Sequence, residues 1–133
     1  MNELQKEILK LAFQNVEITE LKSEIETTTD NFFSESQPVI VRTYSAGVFY
    51  GYIYRRYSAK HLIMRDVRRI WSWEGAASLS ELAVKGTSKP QGCKFPIVEQ
   101  YKELTEVIEI LPMSEQSLIS LNSVPVWSSH HGR

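Results

Sequence analysis

Six basic side chains, Arg55, Arg56, Lys60, Arg65, Arg68 and Arg69, fall within one short stretch against the single acid Asp66. Trp71 and Trp73 follow directly, and Arg42 lies upstream of them. Binding a nucleotide without transforming it needs a flat apolar surface for the base, a planar cation for the phosphates, and backbone donors. Trp71 and Trp73 offer the flat surfaces, and Arg42, Arg65, Arg68 and Arg69 offer charge. The Ser45-Ala46-Gly47 turn and a helix start at Ser78 offer backbone N–H groups. The same residues also suit an ordinary half-buried sheet, in which tryptophans pack in the core and arginines are solvated or paired with acids.

Other chemistries find less support. Nucleophilic catalysis needs a Ser or Cys with a base and an orienting carboxylate. His61 and Cys93 are available for that, but nothing in their spacing favours a pair. A metal site would draw on His61, His130, His131 and scattered carboxylates, without the i, i+4 spacing that presents two imidazoles to one ion. Glu106 and Glu109 would point to opposite faces of a strand, which makes a poor acid/base pair. No Gly-rich phosphate loop of the Walker or dinucleotide type occurs, and no cofactor is implied. Catalytic and metal residues are therefore expected to be absent.

The formal net charge of −1 hides a segregation. The basic stretch is flanked by an acidic segment up to Gln37 and by another between Val98 and Leu121. One concentrated basic segment in a nearly neutral chain suits a small anionic ligand better than duplex nucleic acid. No apolar run approaches the roughly 18 to 20 residues that span a bilayer. With a single cysteine, Cys93, and no export signal at the start, a cytoplasmic protein without a membrane partner is expected.

The positioning elements follow from periodicity. Leu4, Ile8, Leu11, Ile18 and Ile25 fall at helical, nearly heptad spacings, so residues 1–37 are read as a helical segment, either covering its own domain or joining copies. Residues 38–127 are read as one α+β domain built on a mainly antiparallel sheet. Its expected strands are Val39–Ser45, Val48–Tyr57, Lys60–Arg65, Val67–Trp73, Ile97–Gln100, Leu104–Leu111 and Val124–Trp127. Two short helices are expected, Ala77–Lys85 stopped by Gly86, and Glu115–Leu121 capped by Ser114. Gly51 in mid-strand predicts a bulge or the close approach of another backbone or a ligand. Along the fourth strand, Arg69, Trp71 and Trp73 are expected on one face, with Arg68 and Ile70 on the other. Residues 128–133 read as a frayed tail.

The series VRTYSAGVFYG, VRRIWSWEGAASLSELAVKGTSKP, GCKFP and LTEVIEILPMSEQ resembles the Thoeris anti-defence 1 family of small phage proteins. The resemblance covers about Val39 to Trp127. It implies a non-enzymatic sponge, in the host bacterial cytoplasm, for cyclic ADP-ribose-type immune signals. It also implies assembly with itself as a dimer or hexamer, and in some members separate sites for cyclic oligonucleotides. By the same resemblance the ligand-binding positions are Arg42, Tyr44, Ser45, Gly47, Arg68, Arg69, Trp71, Trp73, Lys94 and Phe95. Where family loops often have Asn before Cys-Lys-Phe, this chain has Gly92, so a contact from that side chain is not carried over. Other readings stay open: a protein-binding inhibitor or structural protein that uses the aromatic and basic sheet face, a weak single-strand nucleic-acid binder, and, last, an enzyme that cleaves the signal.

Overall fold

The computed structural model describes residues 32–129. Of the segment 1–37 read as helical, residues 1–31 lie outside the described residues and 32–37 form no helix; the end of the tail, from residue 130, also lies outside them. Within them five strands form one sheet, β1 (Pro38–Thr43), β2 (Val48–Arg56), β3 (Leu62–Ile70), β4 (Val98–Leu104) and β5 (Val107–Pro112). Two helices, α1 (Leu79–Lys85) and α2 (Glu115–Asn122), complete the α+β fold. The strand order is β4-β3-β2-β1-β5, and every pairing is antiparallel.

That order carries a geometric consequence. The outermost strands β4 and β5 are joined by Thr105 and Glu106 alone. In a flat sheet they would lie about 19 Å apart across four strand spacings, whereas three Cα steps reach about 11 Å at most. The sheet therefore has to coil until its two edges meet. A hydrogen bond shows the meeting: Val107 N, at the start of β5, donates to Lys60 O, just ahead of β3, at 3.0 Å.

Coiling gives the sheet two buried faces. The concave side encloses Val39, Val41, Phe49, Ile53, Leu62, Met64, Val67, Leu104 and Val107, with no helical residue among them. The convex side is covered by α1, α2 and the 93–95 loop, which bury Ile40, Tyr50, Ile70, Leu82, Phe95 and Leu121. A strand buried on both sides needs no polar alternation, which accounts for Val39-Ile40-Val41 at full burial.

Two expected strands turn out to be one. Lys60–Arg65 and Val67–Trp73 were separated at Asp66, but β3 runs through it. Asp66 takes φ 46° and, with Val67, stands opposite Gly51 as a bulge. A Cβ on Gly51 would lie 2.8 Å from Asp66 O, so the mid-strand glycine marks a backbone approach. The final expected strand, Val124–Trp127, reduces to a single parallel bridge between Phe95 and Val126. The division at 97–111 also moves, because Thr105-Glu106 forms the edge-to-edge crossing.

The helices follow their caps. Ser78 Oγ accepts from Glu81 N and Gly86 closes α1, while Ser114 Oγ accepts from Ser117 N at the start of α2. Ser117 is buried between the helices, and its hydroxyl donates to Leu82 O at 2.7 Å. No helix among the described residues is long and apolar enough to cross a membrane.

Candidate binding site

At the end of β3 the chain leaves the ladder and bridges the 93–95 loop. Trp71 N donates to Lys94 O at 3.0 Å, and Lys94 N donates to Ser72 O at 2.9 Å. On the far side of the loop Trp127 N donates to Phe95 O at 2.8 Å. The loop thus ties two distant tryptophans together. Their rings stack with centroids 6.2 Å apart and planes 14° from parallel. Lys94 Nζ lies 5.7 Å from the Trp127 ring centroid.

A cleft opens on each side of this ridge. The Trp71 side, about 260 Å³, is lined by Ser45, Ala46, Gly47, Arg69 and Trp71 among others. The Trp127 side, about 410 Å³, is lined by Glu74, Gln91, Gly92, Lys94 and Trp127 among others. The first cleft owes its shape to the 44–47 connection, where Thr43 N and Oγ1 both donate to Gly47 O and Gly47 takes φ 104°. Arg69 lies across its floor, donating from Nη1 to Ala46 O at 3.0 Å and resting over the Phe49 ring at 4.7 Å. Nε and Nη2 of Arg69 keep the fork geometry that suits a phosphate or carboxylate.

The expected site residues divide accordingly. Ser45, Gly47, Arg69, Trp71 and Lys94 line the clefts. Trp71 is 60 % exposed, as a stacking surface requires. Tyr44 is 80 % exposed beside the first cleft without lining it, and Arg42 pairs with Glu109 at 3.1 Å. Ser45 Oγ donates to Glu106 Oε1 at 3.0 Å. That leaves its hydroxyl engaged, and it separates Glu106 in role from Glu109.

Three expected positions do not line these clefts. Arg68 is buried at 4 % exposure on the convex face. Its guanidinium donates to Pro96 O at 2.8 Å, Val124 O at 2.9 Å, Phe95 O at 3.1 Å, and at 3.4 Å to Leu121 O and Tyr50 Oη. Phe95 is fully buried, with Arg68 over its ring at 5.3 Å. Trp73 packs on the convex core and donates from Nε1 to Ala76 O at 3.2 Å. It leaves the face of Arg69 and Trp71 because β3 ends at Ile70, after which strand alternation no longer applies.

Elsewhere, Arg65 is held by Asp66, Glu35 O and the Tyr52 ring, and Ser78 caps a helix. His61 binds Glu103 at 2.7 Å, while the buried Cys93 thiol contacts Glu74 O and Thr87 Oγ1, so the structure does not bring the two together. No group of three or more His, Cys, Asp and Glu side chains placed to hold a metal occurs among the described residues. Burial raises the Tyr50 phenol above its ordinary range, and the neighbouring Arg68 opposes part of that shift.

Trp127 and Glu74 are site residues that periodicity missed. Trp127 was read only as the end of a last strand, and Glu74 was not singled out. The available signal was Pro125 two residues before an aromatic that would otherwise sit in a polar tail.

A family model described as a domain of unknown function (DUF6948) matches residues 36–121, more than half of the chain, which therefore belongs to that family. No curated protein and no solved structure matches it.

Proposed function

We propose that this member of the DUF6948 family is a non-enzymatic sponge that binds and sequesters a cyclic nucleotide immune signal. The ligand is a cyclic ADP-ribose isomer, with cyclic oligonucleotides as a second class. The reading rests on the Trp71–Trp127 ridge, with a guanidinium in the cleft on one side and an ammonium in the cleft on the other. Stacking on an exposed ring contributes about 1–3 kcal/mol per base, and a fork-shaped cation adds charge-assisted hydrogen bonds to phosphate. The motif resemblance to the Thoeris anti-defence 1 family supplies the ligand class. In this reading the protein acts in the cytoplasm of the host bacterium, as a dimer or hexamer.

The test is retention. Protein incubated with cyclic ADP-ribose isomers and with cyclic trinucleotides is washed and heat-denatured, and the released material is identified by mass spectrometry. Intact ligand supports sequestration, altered ligand makes the protein an enzyme, and no retention of either class removes the nucleotide reading.

A second reading has its own observation. At the opposite end of β2, Tyr54 and Tyr101 meet edge to face at 5.1 Å, with Tyr57 also exposed and Arg55 over Tyr54 at 5.5 Å. Exposed aromatics with an arginine mark protein interfaces, so the protein-binding inhibitor would use this face. A Tyr54→Ala, Tyr101→Ala double variant that keeps ligand retention but loses a host protein partner would favour it.

A further inference from the structure

Glu74 occupies an unusual position for a site that takes a nucleotide. Its carboxylate lies in the larger cleft with Lys94 and Trp127. No hydrogen bond or ion pair engages it among the described residues. Its backbone, by contrast, is fixed: Thr87 Oγ1 donates to Glu74 O at 2.5 Å, the Cys93 thiol reaches the same oxygen at 3.6 Å, and Ser88 N donates to Gly75 O at 3.2 Å. An exposed acid held on a pinned backbone is pre-organised for a ligand.

Gly92 explains how the carboxylate is seated. Among the described glycines it alone is not at positive φ, so its backbone could carry any side chain. What it lacks is space, because a Cβ built there would overlap Glu74 Oε2. The glycine thus makes the floor on which the carboxylate rests.

A carboxylate is acceptor-only and repels phosphate, but it matches the hydroxyls of a ribose, as the acid of dinucleotide-binding folds does. We propose that Glu74, seated over Gly92, is the specificity-determining residue of the larger cleft, accepting hydrogen bonds from the free hydroxyls of a ribose whose base stacks on Trp127. The two clefts then differ in polarity. The Glu74 side takes the nucleoside portion, and the Arg69 side takes the phosphates. This rests on the nucleotide-binding reading above and adds an orientation and a sugar preference to it.

The test uses calorimetric titration of the full chain with cyclic ADP-ribose and its ribose–ribose-linked isomers, each beside a counterpart lacking ribose hydroxyls. Wild type should prefer the hydroxyl-bearing ligand by at least about tenfold, the scale of one hydrogen bond to a charged acceptor. Glu74→Ala should cut that preference below about threefold. Gly92→Ala should do the same while leaving the acid in place, because the new methyl displaces a flexible carboxylate and not backbone. Melting temperatures of both variants should stay near wild type. Nucleotide binding with no sugar preference in wild type, or with the preference intact in both variants, overturns this inference alone. No binding of any of these ligands overturns it together with the function it rests on.

Discussion

Arg68 and Arg69 are neighbours on one strand and carry the same charge, yet the fold uses them in opposite ways. Arg68 points into the convex core, where three backbone carbonyls lie within 3.1 Å of its guanidinium. Arg69 faces the other side at the end of β3, bonded to one carbonyl of the 44–47 connection and open to a cleft. The difference comes from position along the strand and from what covers each face. Arg68 tethers the 95–96 loop, the end of α2 and Val124 to the sheet, so it builds the platform. Arg69 stands on that platform and faces the cleft.

The contrast is sharpest at Arg68→Ala. Val124 O and Pro96 O would lose their donor, each at about 1–3 kcal/mol, Phe95 O would lose one of two, and the buried space of the guanidinium would be left unfilled. A loss of at least about 3 kcal/mol is expected, or a melting temperature lower by more than about 12 °C in a domain of this size. A calorimetric scan checks it. Arg69→Ala should do the reverse, with melting within a few degrees of wild type and nucleotide affinity down by at least about tenfold. If Arg69→Ala also melts early, the division into platform and site collapses.

Next in size are the ridge tryptophans. Trp71→Ala and Trp127→Ala should each weaken retention by roughly 5- to 150-fold, measured by titration. Trp73→Ala should instead register as lost stability, since its ring packs on the convex core.

Tyr50 tests the buried side by pH. Its hydroxyl accepts from Arg68 and shares its proton between Leu121 O and Asn122 Oδ1. Because folding raises its pKa, the folded state holds the proton more tightly than the unfolded chain does. The stability this contributes is complete below the ordinary value of about 10 and is lost as pH rises above it. Denaturant titrations across that window should show the decline in wild type, and Tyr50→Phe should lessen it while lowering stability by about 1 kcal/mol. The smallest effect is expected for Arg42→Ala, which breaks the exposed pair with Glu109 and should change stability by no more than about 0.5 kcal/mol and affinity by less than about threefold.

Local rules made the two helices, their caps and the body of the sheet legible in the sequence. Ser78, Gly86 and Ser114 act through neighbours one turn away, and the uninterrupted Val39-Ile40-Val41 reads as buried strand. Gly51 also announced its bulge. Asp66 fell between two expected strands because only its own strand is visible in the sequence; the partner backbone at Gly51 makes it a bulge within one.

The candidate site was half legible. Arg69 and Trp71 sit where alternation puts them, lining the same cleft. Trp73 does not, because alternation stops with the ladder at Ile70. Trp127 and Glu74 reach the site through the 93–95 bridges and the Gly92 floor, contacts between segments far apart in sequence that no periodicity encodes. Arg68 and Phe95 lie within quoted motifs, and the structure shows how they support those motifs from below.

The most direct measurement of the central claim is tryptophan emission of the full chain titrated with cyclic ADP-ribose isomers and then with cyclic trinucleotides. A base stacking on the Trp71–Trp127 ridge should quench the emission saturably, and Trp127→Phe should reduce the amplitude with the fold intact. Emission that stays unchanged through saturating concentrations of both ligand classes would contradict a nucleotide site on the ridge.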